Sequence, residues 1–313
     1  MLHDYIIMFE TIFDRQGLSL DRLRTFCEIA HVRGITRAAK GNVVRQSQFS
    51  RQLKELENYF EAELFVRKRN MFRLTSAGEK LLRVASEFFA SLDTAKSEIQ
   101  ALPQTISFGA GESIFNWLLF PRFSQLNQLF PNFCFQFRNL QSKEIIRGIQ
   151  ESELDFGIVR EDACPRELEK KKLGSINYCL FLPKALKSSK DVPVHNNLLN
   201  NLPLATLEGD GQFKTILFAA ASKHGINLNV KIICSSFPLM TEILKQGHVA
   251  AILPSIAEVE LPNPMFLKIE VPLLKPMDRR YVLCFRKRTL QRRASLESEL
   301  DQLSMQFQIK ARC

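Results

Sequence analysis

The 313-residue sequence contains no apolar run approaching the roughly 18–20 residues needed to span a bilayer. Its longest candidates, such as Phe115–Phe120, are cut by Pro121 and Arg122, so no membrane partner is expected. It also lacks a basic start followed by a small-residue cleavage site. Asp4, Glu10 and Asp14 stand there instead, which argues against a secretory signal and for a cytoplasmic protein. The seven cysteines have no Cys-x-x-Cys spacing and read as reduced thiols that mostly fill core space. Cys164, alone in a loop near Asp162, is expected to be inert. His3, His31, His195, His224 and His248 are isolated, so no metal site is expected. There is no Gly-x-Ser-x-Gly elbow, no His-Glu-x-x-His helix and no phosphate-binding loop, and hence no catalytic constellation. Gly109-Ala110-Gly111 lacks the third glycine of a dinucleotide loop, so no cofactor is expected.

What is present is the balance of an ordinary globular chain, with 45% hydrophobic and 24% charged residues and a length that suits about two domains. The formal charge is +10, and it is unevenly placed. Residues 22–73 hold twelve Lys/Arg against five Glu, the footprint of a surface that meets phosphates. A second basic stretch, residues 275–313, reads as solvated surface around a strand end and a helix start.

Residues 1–17 precede any core pattern; they read as a short helix from Tyr5 to Phe13 or as a frayed extension. From Ser19, a suitable N-cap, Leu23, Phe26, Cys27 and Ala30 recur on one helical face, which Gly34 ends. Thr36 is placed to cap a short second helix with Ala38 and Ala39, stopped at Gly41–Asn42. A third helix runs from about Gln46 to Phe60 and buries Phe49, Leu53, Leu56 and Phe60. Its other face begins with Gln46, Ser47, Gln48, Ser50, Arg51 and Lys54. This is the pattern of a helix-turn-helix whose third helix enters the major groove. Glutamine pairs with adenine and arginine with guanine, so Gln46, Gln48 and Arg51 are the candidate base contacts. Arg37 and Lys54 are candidate phosphate contacts, and Arg45 adds a cation beside them. Residues 65–74 read as a hairpin wing, with Arg67, Arg69 and Arg73 in reach of phosphates or a minor groove.

Thr75 or Ser76 then caps a long helix. Leu81, Ala85, Phe88, Leu92, Ala95, Ile99 and Leu102 follow at spacings of 4, 3, 4, 3, 4, 3, a heptad seam ended by Pro103. A helix from Thr75 to Leu102 would be roughly 40 Å long. Such a seam suits a homodimer, whose two recognition helices would meet an inverted repeat in double-stranded DNA.

The ordered set Thr36-Arg37-Ala38-Ala39, Gln46, Ser50-Arg51-Gln52-Leu53, Leu56-Glu57, Leu64-Phe65, Arg67 and Leu74-Thr75-x-Ala77-Gly78 resembles the winged helix-turn-helix of LysR-type transcriptional regulators. Asn42, Arg45 and Gln48 depart from that family's usual residues. Asn42 would leave the second helix imperfectly packed unless Val43 or Val44 filled the gap, and Arg45 forfeits the usual side-chain cap. After Pro103, strands and helices alternate in two series, which predicts two α/β subdomains with mostly parallel sheets. Gly109-Ala110-Gly111, Leu118-Leu119-x-Pro121, Glu153-Leu154-Asp155-Phe156-Gly157-Ile158 and Gln246-Gly247-x-x-Ala250-Ala251-Ile252-Leu253-Pro254 resemble the periplasmic-binding-protein-like effector domain of the same family. The resulting layout is an extension (1–17), an all-α winged helix-turn-helix (18–75), a linker helix (76–102) and an α/β effector domain (103–313). By that resemblance the first subdomain covers about 103–178 and 262–313, and the second 179–261.

The resemblance further implies a small-molecule effector in a cleft lined by Gly111, Ser113, Asn139, Ser142, Thr206 and Ser236. Read from the residues alone, each hydroxyl could equally cap a helix. Gly111 offers no hydroxyl, and Glu112 would repel an anionic ligand if it points inward. Phe115, Trp117 and Phe237 could line an apolar pocket. The implied protein is a homodimer or homotetramer that binds promoter DNA, with RNA polymerase as a further partner of an activator. Two rivals stand beside this reading: an architectural DNA-binding protein that ignores ligands, and a small-molecule binder or enzyme without specific DNA binding.

Overall fold

The structure, a computed structural model, describes residues 12, 14–68, 71–100, 102–186, 196–200, 202–209, 211–261, 265–291 and 294–309. The expected helix from Tyr5 to Phe13 and the contacts expected of Arg69 lie outside the described residues. No described helix is long and apolar enough to cross a membrane. The chain forms two compact units, one up to Leu102 with the short stretch Gln150–Glu153, the other comprising the rest.

In the first unit, helix α1 (Leu20–Val32) starts at Ser19, whose hydroxyl accepts from the Arg22 amide at 3.2 Å. Its end differs from expectation. Arg33, not Gly34, takes the left-handed position (φ 53°), and Gly34 instead opens the four-residue helix α2 (Ile35–Ala38), which has no side-chain cap from Thr36. Helix α3 (Val43–Phe60) packs Phe49, Leu53 and Leu56 onto Phe26, Ile29 and Ala30 of α1, with Ala38 and Ala39 filling the crossing. Phe60 is the exception to the expected face, since it is exposed. The wing is an antiparallel pair, β1 (Phe65–Lys68) and β2 (Met71–Leu74). Phe65 anchors it, 5.5 Å from the Phe26 ring and stacked at 4.6 Å on Phe72. Full burial of such side chains contributes about 1.5–3 kcal/mol each.

Helix α4 (Ser76–Ile99) is about 36 Å long. Thr75 is its N-cap: the hydroxyl accepts from the Gly78 amide at 3.0 Å and donates to the Glu63 carbonyl at 2.6 Å, tying the helix to the base of the wing.

The second unit holds two five-stranded sheets. The first, in the order β4-β3-β5-β12-β6, is made of β3 (Gln104–Ala110), β4 (Phe133–Asn139), β5 (Phe156–Arg160), β6 (Glu169–Ile176) and β12 (Arg279–Phe285). The second, in the order β11-β7-β10-β8-β9, is made of β7 (Tyr178–Pro183), β8 (Leu204–Leu207), β9 (Val230–Cys234), β10 (Ala250–Pro254) and β11 (Phe266–Ile269). Strands β4, β3 and β5 are parallel, as are β10, β8 and β9, so their carboxyl ends lie along one edge of each sheet, the edge at which open α/β sheets generally bind ligands.

Two boundaries need correction. The expected helix from Ser113 to Phe130 is divided into Glu112–Ile114, a π-helical turn at Phe115–Leu119, a 3-10 turn at Phe120–Arg122 and helix α5 (Phe123–Leu129). Pro121 has no N–H and its ring clashes with the carbonyl four residues back, which breaks a continuous ladder. Secondly, the chain does not return to the first half near residues 254–264. Strand β11 still pairs with β7, and the 3-10 segment Pro272–Met277 buries Leu273, Leu274 and Met277 in the second half's core. The second subdomain therefore extends past residue 261 to about Met277. The remaining helices are α6 (Ser142–Gln150), α7 (Gln212–Lys223), α8 (Phe237–Lys245), α9 (Lys287–Gln291) and α10 (Ala294–Gln306).

Candidate nucleic-acid interface and effector cleft

Lys40 (φ 52°) and Gly41 (φ 75°) turn the chain left-handed, and Asn42 then caps α3 by accepting from the Arg45 amide at 3.0 Å. The helix thus starts three residues earlier than expected. Asn42 neither stops α2 nor leaves a packing gap, and Val43 and Val44 fill none, being 78% and 79% exposed on the first turn. Arg45 loses nothing by lacking a hydroxyl, since Asn42 does the capping.

Beyond that turn, Ser47, Gln48, Arg51 and Lys54 are exposed along one side of α3, with Gln46 and Ser50 half-buried at its margin. The expected polar face is therefore assembled on one helix, and two valines extend it. Sequence periodicity missed them, because an apolar pair beside a helix start reads as core. In a major groove they would meet thymine methyl groups.

The cations are not equally available. The Arg45 guanidinium lies 5.0 Å above the Phe49 ring and 3.5 Å from Glu28. Arg51 Nε donates to Glu55 Oε1 at 2.9 Å, and the other Glu55 oxygen accepts from Arg22 Nε at 2.7 Å. Those hydrogen bonds from Arg51 and Arg22 hold the Glu55 carboxyl below its ordinary pKa. Arg37 is exposed, with Nη1 3.4 Å from the Val32 carbonyl, and Arg73 is exposed on the wing. The Arg67 side chain, like Arg69, lies outside the description.

Along α4 the expected seam divides. Leu81 is half-buried against the unit's own core and Ala85 is 1% exposed, so neither is open to a second chain. Phe88 (42%), Leu92 (43%) and Ile99 (85%) are exposed, as is Ala95, and Val84 (61%) joins them.

In the second unit, Gly111 and Ser113 follow β3, Asn139 and Ser142 follow β4, Thr206 lies in β8 and Ser236 follows β9. Ser236 is the N-cap of α8, accepting from Leu239 N at 3.3 Å. It lines an open cleft of about 650 Å³ together with Glu112, Asn116, Ser235, Pro238, Leu239, Glu242 and Glu260. Of the expected set only Ser236 reaches that cleft. Asn139 is exposed at the end of edge strand β4, whereas Gly111 closes no contact that a Cβ would disturb.

Two buried donors stand out. Thr206 Oγ1 and Trp117 Nε1, in residues each 2% exposed, have no hydrogen-bond partner among the described residues. Trp117 belongs to the segment after β3, yet it packs in the core of the second half with Phe181, Met240 and Phe266. Arg160, which the sequence reading did not single out, ends β5, pairs with Asp162 at 3.4 Å and donates to the Gln212 side chain at the start of α7. Trp117 and Arg160 thus join the two halves on the side of the strand ends. A buried group without a partner costs about 1–3 kcal/mol, which a ligand or water offsets by bonding to it.

Residues 20–79 match the family described as the bacterial regulatory helix-turn-helix protein, lysR family, and residues 100–297 match the LysR substrate binding domain. The chain is 31% identical to the HTH-type transcriptional regulator HdfR of Yersinia enterocolitica over 200 residues, covering 63% of this chain and 68% of that protein. Among solved structures, full-length OxyR from Pseudomonas aeruginosa covers 95% of this chain and 97% of its own (TM-score 0.64, 19% identity). ArgP from Mycobacterium tuberculosis covers 91% and 96% (TM-score 0.62, 16% identity). Full-length CbnR in complex with its target DNA covers 90% and 98% (TM-score 0.53, 18% identity). At such identities these likenesses establish a shared fold. The two family matches together span most of the chain, and it belongs to the LysR family of DNA-binding transcriptional regulators, proteins with an effector-binding domain that are not enzymes.

Proposed function

We propose that this regulator binds an inverted-repeat promoter site as a homodimer, or as a tetramer built from such dimers, under the control of a small molecule in the second unit. The observation that carries the reading is the solvent face of α3. It buries Phe49, Leu53 and Leu56 and exposes Val44, Ser47, Gln48, Arg51 and Lys54. Gln46, Gln48 and Arg51 would read base edges, the two valines thymine methyls, and Arg37, Lys54 and the wing arginines the phosphates. The exposed apolar run Val84, Phe88, Leu92, Ile99 supports pairing through α4, which would present two recognition helices to the two half-sites.

Ser236 and Asn116 would give the effector polar contacts in the cleft. Glu112, Glu242 and Glu260 along that cleft disfavour an anionic effector. Control of DNA binding requires the effector to bind two arrangements of the protein with different affinity.

The test is selection of genomic fragments by the purified protein at about 150 mM salt, where non-specific phosphate binding is weak. Enrichment of a few fragments sharing an inverted repeat is the expected result. Uniform recovery would establish an architectural binder instead. Recovery of no DNA, with a small molecule still bound, would overturn the reading.

A further inference from the structure

The first turn of α3 presents an apolar surface that the chain itself does not cover. Val43 and Val44 are 78% and 79% exposed, and among the large apolar side chains described only Ile99 is more so. The buried residues Phe49, Leu53 and Leu56 define one side of the helix. At about 100° per residue, the two valines straddle the opposite side, with Ser47 and Arg51 between them. They therefore flank the middle of the face that the DNA-binding reading turns toward the major groove. Asn42 holds the turn by accepting from the Arg45 amide, and the Arg45 side chain lies over the Phe49 ring and beside Glu28.

Branching at Cβ leaves each valine one strongly preferred rotamer in a helix, so the pair is a rigid surface that loses little freedom on contact. It has no hydrogen-bonding group and cannot tell a donor from an acceptor on a base edge. What the major groove offers such a surface is one group, the methyl on C5 of a pyrimidine. Thymine carries that methyl, and 5-methylcytosine carries the same methyl at the same place in the groove.

We propose that Val43 and Val44 form a sensor for the pyrimidine C5-methyl group. At the positions the valines meet, the regulator discriminates thymine from uracil and 5-methylcytosine from cytosine. The proposal rests on the DNA-binding reading above and goes beyond it in one respect. Methylation of an operator cytosine at C5 strengthens binding there, so occupancy of the site depends on the methylation state of the DNA. Burying one methyl group is worth about fourfold in affinity, and about fifteenfold when both half-sites of a dimer's site carry the change.

The test uses the full-length protein and synthetic duplexes of an inverted repeat enriched in the genomic selection, with binding followed by fluorescence anisotropy. Each thymine of a half-site is replaced in turn by uracil, which removes the methyl and leaves every hydrogen-bonding group. The expected result is a loss of about fourfold at one or more thymines. At those positions cytosine is then compared with 5-methylcytosine, both opposite guanine, and the methyl should recover the same factor. The variant V43A/V44A keeps the fold, since both side chains are exposed and alanine is the better helix former. It should bind duplexes with and without the methyl alike. Equal binding of thymine and uracil at every position, or of cytosine and 5-methylcytosine at the sensed ones, would overturn the proposal and leave the DNA-binding reading intact. Methyl discrimination that survives in the double variant would do the same. Preference for no duplex over a scrambled one would instead overturn that reading, and this proposal with it.

Discussion

Replacing Gly78 by alanine should destabilise the winged unit, although helix propensity alone predicts the opposite. In an exposed helix the change is worth about 1 kcal/mol of stabilisation. Here an added Cβ would stand 2.2 Å from the Leu64 carbonyl oxygen and 2.9 Å from Leu74 Cδ2. Neither neighbour yields easily. The Leu64 carbonyl accepts from the Thr75 amide at 3.0 Å, and the Leu64 amide donates to Glu57 Oε1 at 2.9 Å, with the side chain only 1% exposed. Making room means straining the helix–wing contact, at about 1–3 kcal/mol, and breaking the Leu64–Thr75 bond, at about 1 kcal/mol. After the propensity gain is subtracted, the net loss is about 2 kcal/mol. For a unit of this size that lowers its melting temperature by about 8–16 °C. Hydrogen exchange of the full-length protein, followed in peptides from α3 and α4 along a urea series, isolates this unit from the rest. Unchanged or increased protection in G78A would refute the reasoning.

At the start of α3, N42A should cost about 1 kcal/mol by removing the cap. N42D keeps the cap and suits the helix dipole, but it sets a negative charge toward the phosphates. Both should weaken binding to a selected DNA fragment in fluorescence anisotropy, while only N42A lowers the melting temperature. The Glu55 carboxyl, held low by Arg51 and Arg22, gives a pH signature. Its folded pKa lies below its unfolded one, so its contribution is complete above the unfolded value of about 4.3 and is lost as pH falls through the folded value. The urea midpoint of the wild type should exceed that of E55Q at pH ~6, and the difference should close toward pH ~3. In the second unit, Asp155 Oδ2 accepts from both the amide and the hydroxyl of Ser107 at 2.8 Å, tying the approach to β5 onto β3. D155A should cost about 2–4 kcal/mol, read by urea unfolding followed through the fluorescence of the single tryptophan, Trp117.

The helices of the first unit were legible because their apolar residues recur at helical spacing, and β8 and β9 fall at the residues their β-branched and aliphatic runs suggest. The failures have physical causes. Asn42 suits both a C-terminal stop and an N-cap, and only the turn at Lys40–Gly41 decides between them. Strand β6 (Glu-Lys-Lys-Lys-Leu-Gly-Ser-Ile) is rich in lysine and barely alternates; it is an edge strand, where charge is tolerated and even protective. Strand β11 is four residues long and its neighbourhood is full of proline, so no strand pattern stands out there. The phrase Asp155-Phe156-Gly157 is part of the family resemblance, and the structure supplies its reason. Asp155 bonds Ser107, and a Cβ on Gly157 would lie 2.4 Å from Ile145 Cγ2 of α6. The partners of Trp117 and Arg160 depend on packing between distant segments, which no local pattern records.

The placement of the charges also changes what the basic segment 22–73 implies. Its excess of cations suggests strong, salt-sensitive attraction to any DNA, yet on the recognition helix Arg45 and Arg51 already hold Glu28 and Glu55. A phosphate or base must exchange with those carboxylates, so these two arginines release fewer counterions on binding than their number suggests. Lys54 has no ion pair among the described residues, and Gln48, Val43 and Val44 carry no charge. Each full phosphate contact adds about 0.9 to the slope of log affinity against log salt. The helix should thus contribute about one such contact through Lys54, leaving Arg37 and the wing arginines to supply most of the slope. On the proposed reading the helix face would discriminate mainly through uncharged groups, which reward a matching base edge without strengthening attachment to a mismatched one. In that division of labour, losing a wing arginine weakens binding to all DNA alike, whereas losing Gln48 or the valine pair narrows the gap between the right site and the wrong ones.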